Sequence, residues 1–581
     1  MTRSVVLGTR PCGIADIVAV ARAGALVEIA PAAHERLERA RHAIEAAAAR
    51  GDKVYGLTTG LGAAVDTVLE PGDLAAFQRR ALAARMVGVG VALPEEATRA
   101  MLLARLAGLM QGASGISPAI PQAIAALLNA GVTPVVPSLG SIGAADLAPL
   151  AHGFAVLVGD GEAIFGGRLM SGEAGLAAAG LAPVVLGPKD ALALINSNAA
   201  SVGPAALAVA DAEIVFEASL SALGLGLEAF RGNLSPFDPR AVALRPTPHL
   251  AETAARLRAL LGGSELERSG AARRVQDPLS FRSGAHVLAA FADTLARVHE
   301  AVEIELAGAG DNPAIVDADG TILSTAGFEV THLALAFETL GLALAQAAGA
   351  SFGRLVKLMS PATSELPRFL TPRGASRTGF ATVQKTASAL EAEIRRLAQP
   401  AMLFAGPVAD GVEDLASMAP RSAAKAAIAL GHMSRLLAIE LMVAAQALDL
   451  RAPARLAPAV VAIQDTVRAV IPRSTRIGRP APISRRWRPQ SARGALPFPE
   501  QRLSDRSSLE PPSRVSRRDS LARSGLDRPG KLLMMRAPAH LRRSLRKPCL
   551  ALLDISDPWP SPQGQSRLEA GMARAGAQGG I

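Results

Sequence analysis

One tyrosine, Tyr55, occurs in the whole chain, and it sits in a glycine-rich string, Val54-Tyr55-Gly56-Leu57-Thr58-Thr59-Gly60-Leu61-Gly62. Glycines let a backbone crowd a ligand. A phenol in such a place can act as a general base if its pKa is lowered. The alternative is an aromatic packed within its own loop, and both readings stand. The Gly-x-Gly inside the string is weak evidence for a phosphate cradle. Other side chains offer complementary chemistry. Arg282 can grip a carboxylate through two parallel hydrogen bonds. Asn196 and Gln276 carry amide donors and acceptors suited to amino acid backbone groups. Glu413 can hold a proton or an ammonium group. Each of these polar residues also has an ordinary alternative, an inter-helix hydrogen bond or a surface ion pair. A further segment runs Gly140-Ser141-Ile142-Gly143-Ala144-Ala145-Asp146-Leu147-Ala148-Pro149-Leu150-Ala151-His152. Pro134, Pro137 and Gly140 break the helical pattern before it. The segment therefore reads as a loop entering a helix, with Asp146 placed as an N-terminal cap.

The elements that position these residues are helices. Half of the residues are hydrophobic and 3% are aromatic; alanine and leucine dominate and β-branched runs are short, which favours helix over sheet. Helices are expected up to about Arg50, then a loop over Gly56 to Gly62, then helices from Leu74 to Leu109. From about Asp190 to Leu450 the chain reads as long amphipathic helices with few breakers. Leu333 to Leu355 and Thr382 to Leu397 show apolar residues at i, i+3, i+4 and i+7. The fold class is all-α, a long-helix bundle. Three regions are expected: residues 1–185 with the tyrosine loop and the Gly140 loop, a central bundle over 186–475, and a basic tail over 476–581. The tail is rich in Arg, Pro and Ser and carries both tryptophans, Trp487 and Trp559. Such composition buries too little apolar surface to fold. It reads either as a natural basic tail or as an out-of-frame extension of a GC-rich gene.

The net charge of +10 belongs to that tail. From Ile471 onward the chain carries 20 arginines and 2 lysines against 8 acidic residues, so the main body is slightly acidic. Nucleic acid binding through the tail is one reading, but no patterned aromatics or motif support it. No uncharged apolar run of about 20 residues suggests a membrane span, and no apolar block with a cleavage site suggests a signal peptide. Cys12 and Cys549 lie at opposite ends of the chain. They suggest neither a disulfide framework nor a metal site, and the expected compartment is the cytoplasm.

Taken in order, these segments resemble the histidine and phenylalanine ammonia-lyase family over about residues 10 to 475. The tyrosine string is similar to that family's Val-Tyr-Gly-x-Asn-Thr-Gly-Phe-Gly. Leu128 to Pro137 resembles the segment preceding its electrophile loop. Ala193-Leu194-Ile195-Asn196 resembles its Ala-Leu-Ile-Asn-Gly, with Ser197 and Asn198 departing from Gly-Thr. Val275 to Arg282 resembles Val-Gln-Asp-x-Tyr-Ser-Leu-Arg, with Leu279 in place of a second catalytic tyrosine. Asp311-Asn312-Pro313 matches, Phe328 matches the phenylalanine of Gly-Asn-Phe-His, and Glu413-Asp414 with Ser417-Met418 is similar to Gln-Glu-Asp-His-Val-Ser-Met. The resemblance implies an ammonia-lyase fold and a homotetramer whose active sites each draw on several subunits. It implies elimination of ammonia from an α-amino acid, with Tyr55 removing the β-proton and Arg282 anchoring the carboxylate. Asn196, Gln276, Phe328 and Glu413 become the remaining site residues.

The Gly140 segment resembles the family's Gly-Ser-Val-Gly-Ala-Ser-Gly-Asp-Leu-Ala-Pro-Leu-Ala-His, one residue shorter. There Ala-Ser-Gly cyclises to methylidene-imidazolone, an internal electrophile. Here Ala144, Ala145 and Asp146 form a degenerate version without the serine, so this prosthetic group is not expected to form and no other cofactor or metal is predicted. The chain's one Ala-Ser-Gly, Ala113-Ser114-Gly115, matches a helix-ending turn instead. Where the family has a Ser-His selectivity pair, Ala84-Arg85 stands. Arg85 either favours an anionic substrate side chain or pairs with a helix carboxylate. The alternative activity is a homologue without the electrophile that binds an amino acid or related acid without eliminating ammonia. The Gly-Ser-Ser-x-Met-Pro-x-Lys loop of the fumarase and aspartase group is not present.

Overall fold

The computed structural model describes residues 4–60, 74–316, 320–372, 378–404, 406–453 and 455–471. Gly62 of the tyrosine string and the tail expected over 476–581, with Cys549 and both tryptophans, lie outside the described residues.

Six helices organise the described chain: α1 (Glu95–Leu109), α2 (Ala199–Phe230), α3 (Gly284–Ala307), α4 (Thr331–Leu358), α5 (Val383–Leu397) and α6 (Ala419–Arg451). α2 and α6 run against each other at the centre, α4 packs on α6 and on α3, and α1 crosses α2. Gly203 makes that last crossing close, because a Cβ there would overlap the backbone of Ala100. α2 is apolar nearly all round, since neighbours enclose it on every side. α5 is strongly two-faced and covers the flank of α4 and α6.

Composition and length alone would let α2 (with the short helix before it), α4 and α6 cross a membrane, which differs from the sequence expectation. Their apolarity has a nearer cause: in the most apolar window of α2 and of α6, 67% of the residues are buried by protein. One continuous apolar core runs from Val5 to Val467. A small second cluster joins Ala40, Ile44 and Ala47 to Val54, Leu57 and Ile315.

The helical expectation over Leu74 to Leu109 is interrupted. Helix Leu74–Ala83 ends, and Val89–Ala92 forms a strand antiparallel to Pro137–Leu139. The Val87-Gly88-Val89-Gly90-Val91 run explains it: valine favours extended backbone, and Gly90 takes a φ of +97° that other residues seldom adopt. The remaining strands are short and peripheral, and the fold is mainly helical as expected.

A buried ion pair ties α4 to α6. Arg354 donates from Nε to Glu440 Oε1 at 2.5 Å, and Ser351 Oγ donates to Glu440 Oε2 at 2.6 Å. Arg354 also reaches the carbonyl of Ser280. Both charged groups are inaccessible to water.

Candidate active site

The Pro31–Arg50 helix ends at Gly51, whose φ of +72° turns the chain toward the tyrosine. A closed turn follows: Thr58 Oγ1 donates to Asp52 O at 2.6 Å and accepts from Val54 N at 2.9 Å. Val54 and Leu57 are buried in the second core cluster. Tyr55 lies between them, half-buried, and faces a cleft of about 340 Å³. Lys53, Thr59, Asn312 and Ser324 line the same cleft. Arg85 is close enough for its charge to interact with Tyr55; burial pushes its guanidinium down from the usual range and Tyr55 partly restores it. Arg85 also donates to Ala81 O at 2.9 Å. Arg85 thus brings positive charge to the neighbourhood of Tyr55.

Asn196 is buried and donates from Nδ2 to Asn312 O at 2.5 Å. The Asn312 side chain in turn accepts from Thr325 N at 2.9 Å. Beneath this turn Asp311 pairs with Arg105 at 2.7 Å, both inaccessible, and Arg105 Nε donates to Ala193 O at 2.8 Å. That buried network fixes Asn196 and Asn312 relative to α1.

The Gly140–Asp146 loop lies against the same region. Gly143 O accepts from Asn198 Nδ2 at 3.1 Å and from Ser417 Oγ at 3.0 Å, and Ile142 O accepts from Met418 N at 2.8 Å. Ala144 pairs with Glu329, which brings half-buried Phe328 beside the loop. Half-buried Glu413 lies in the turn closed by Val408, four residues before Ser417.

Asp146 precedes helix Leu147–Ala155 as expected, yet its side chain makes no cap bond. Its buried carboxylate is committed elsewhere: it accepts from Ser141 Oγ at 2.7 Å, Ser201 N at 2.7 Å and Ser201 Oγ at 2.9 Å. Burial pushes it up to about 6 against those hydrogen bonds. A folded-state pKa above the unfolded value adds stability at low pH that is lost as pH rises. Asp146→Asn should therefore remove a slope: the stability of the native protein relative to the variant falls between pH 4 and pH 6 and then levels. Denaturant titrations of both proteins from pH 4 to pH 7 check this, and a constant difference would contradict it.

The internal electrophile needs a serine to dehydrate and a following amide nitrogen free to attack a carbonyl. At the matching place stand Ala144 and Ala145, which have no hydroxyl. Asp146 N–H is donated to Ser197 O at 2.7 Å. These residues do not fit that group. Ser114 sits apart from the loop, fully buried, with its Oγ accepting from Ile116 N and its carbonyl held by Lys189.

Two expected site residues are not gathered with Tyr55. Gln276 and Arg282 are exposed, as is Leu279, at the entrance to α3. Gly308 to Asn312 follows the other end of α3, and 24 residues of helix span about 36 Å. Within one chain, then, Arg282 and Tyr55 lie far apart.

Other groups here escaped the sequence reading. Asn198 is buried, and its Oδ1 has no hydrogen-bond partner while its amide nitrogen holds the loop. Glu305, near the end of α3, is pushed up to about 7 by burial and by the charge of Glu329. Neither carries a signal in sequence, because each gains its meaning from a neighbour distant along the chain.

The described geometry has counterparts among known proteins. The family model for aromatic amino acid lyases matches residues 12–469. Histidine ammonia-lyase of Sorangium cellulosum is 39% identical over 474 residues, covering 80% of this chain and 92% of that protein. Among solved structures, the ergothioneine-degrading enzyme ergothionase of Treponema denticola superposes with a TM-score of 0.77 at 32% identity, over 81% of this chain and 95% of that one. Histidine ammonia-lyase of Trypanosoma cruzi gives 0.75 at 29% identity, over 81% and 89%. With a family match that spans most of the chain and a relative 39% identical over 80% of it, this protein belongs to the aromatic amino acid lyase family.

Proposed function

We propose that the protein is a carbon–nitrogen lyase acting on an α-amino acid or a close derivative with an imidazole or aromatic side chain. The observation that carries this reading is Tyr55, held at the cleft by its own closed turn, with the positive charge of Arg85 beside it. In this reading the phenolate takes a proton from the β-carbon, the electron pair forms the Cα–Cβ double bond, and the Cα–N bond breaks. Asn196 and Asn312, fixed by the Arg105–Asp311 pair, orient polar groups of the substrate. The relatives support an imidazole side chain, since one group acts on histidine and the Treponema protein on ergothioneine, a histidine derivative.

The carboxylate anchor, Arg282, comes from another subunit. Its distance from Tyr55 along α3 supports this. So do the exposed apolar residues around it and on the bundle helices: Val275, Leu279, Ile304, Leu335 and Leu342. In this reading a homotetramer covers these side chains and brings α3 of one copy to the cleft of the next. Arg282→Ala should raise KM by about 10- to 100-fold, the loss of charge-assisted hydrogen bonds, with kcat less affected. Arg282→Lys should recover little, because a point charge cannot replace the planar fork. Steady-state kinetics on both variants decide, and an unchanged KM would remove Arg282 from the site.

The reading as a whole is tested by incubating the purified protein with histidine, phenylalanine, tyrosine and their N-methylated derivatives. Release of ammonia or an amine together with an α,β-unsaturated acid is expected from at least one. Binding without release from any would leave a protein that holds such acids and does not eliminate them.

A further inference from the structure

A second cavity, of about 190 Å³, opens beside the turn that follows strand Ser4–Leu7. Three segments enclose it: the turn from Gly8 to Cys12, Arg36 of helix Pro31–Arg50, and the end of α1 with Met110 and Gln111. Its floor is apolar, with Leu7, Ala107 and Met110 buried. Its rim is polar, with Thr9, Arg10 and Gln111 exposed. Both charged residues on its walls are arginines, and no carboxylate lines it. Burial, and then the charge of Asp16, push the Cys12 thiol up to about 12, so the floor carries no negative charge at neutral pH.

The two arginines are held in place by different means. Arg10 grips Asp16 through both terminal nitrogens, at 2.7 and 2.8 Å, which fixes it on the rim. Arg36 donates from Nε to Met110 O at 3.1 Å and from Nη2 to Gly8 O at 3.0 Å. Helix and turn can approach this closely because residue 8 is glycine: a Cβ there would overlap Ala33. Both acceptors of Arg36 are neutral carbonyls, and among the described residues no carboxylate pairs with it. A guanidinium has five N–H donors, so Arg36 keeps its full charge and the donors on Nη1 for something else.

We infer that this cavity binds a phosphate group, as the free ion or as a small monoester. A tetrahedral dianion answers two guanidinium charges, and its oxygens accept from several donors at once. The Thr9 hydroxyl and the Gln111 amide supply neutral donors on the same rim. The apolar floor suits the carbon part of a monoester. A monocarboxylate would answer only one of the two cations. The site also joins the elements that position the candidate active site. Helix Pro31–Arg50 leads through Gly51 to Tyr55, and α1 carries Arg105, which holds Asp311. A ligand bound here stabilises the native arrangement of both elements by mass action. Binding is read without turnover, so its outcome is independent of the lyase reading.

The experiment titrates the full chain by calorimetry with inorganic phosphate, glycerol phosphate and acetate at constant ionic strength. Native protein is compared with Arg36→Gln, Thr9→Ala and Gln111→Ala. All four carry the same arginine-rich tail, so a difference among them belongs to the cavity. The expected result is one saturable phosphate site per chain, weakened at least ~10-fold by Arg36→Gln and about 3-fold by each rim variant, the scale of a lost charged and a lost neutral hydrogen bond. Tighter binding of the free ion or of the monoester identifies which form the site takes, and either supports the inference. The rim variants change exposed side chains and keep the fold, so they decide the matter if Arg36→Gln unfolds. Native protein without a saturable site, affinity unchanged in the folded variants, or acetate bound as tightly as phosphate would overturn the inference.

Discussion

Tyr55→Phe is expected to lower the rate of elimination by about 10²- to 10⁴-fold, the usual contribution of a positioned general base. The change removes one oxygen and keeps the ring. Val54 and Leu57 still anchor the turn, and the Thr58 bonds that close it do not involve the phenol. Stability should therefore move little, as for other substitutions that create neither a cavity nor an unpaired buried charge. The loss should fall on kcat and on kcat/KM alike, because the phenolate acts in the transition state. Substrate affinity, measured by calorimetry on the variant, should survive. A variant that retains a tenth or more of native turnover would assign the proton transfer to another group, and Lys53, which lines the same cleft, would be the next to replace.

The second large effect concerns stability. Glu440→Ala leaves Arg354 charged, inaccessible and without its carboxylate partner between α4 and α6. Breaking a buried pair from one side costs about 3–5 kcal/mol, against the 5–15 kcal/mol typical of a whole domain. Ser351 loses its acceptor in the same change. Replacing both partners, Arg354→Met with Glu440→Leu, should recover most of the loss, since no charge is then stranded. Thermal and denaturant unfolding of the three proteins are the measurements. A single variant as stable as the native chain would mean that water or another group reaches Arg354 when Glu440 is gone.

Much of the fold was legible because it is written locally. Apolar spacing marked α4 and α5, and prolines with glycines marked the loop before helix Leu147–Ala155. The Val89–Ala92 strand was not foreseen, since a four-residue strand depends on the partner it finds at Pro137–Leu139. Asp146 shows the same limit at one residue. Its position is that of a cap, but Ser141 and Ser201 compete for the carboxylate, and Ser201 lies 55 residues away. The site divides similarly. Tyr55 and Asn196 could be named from ordered motifs, whereas Asn198, Glu305 and the Arg105–Asp311 pair appear only when helices from separate parts of the chain meet. The separation of Arg282 from Tyr55 is a property of the length of α3, and no motif encodes it.

What Tyr55 does is the centre of the functional reading, and isotope transfer addresses it directly. A substrate carrying deuterium at the β-carbon is turned over by the native protein and by Tyr55→Phe, with the unsaturated acid and the released amine followed together. The native protein should form both products in equal amounts, more slowly from the deuterated substrate, while the variant forms neither above background. Equal product formation by the two proteins, or amine release without an unsaturated acid, would contradict proton removal by Tyr55.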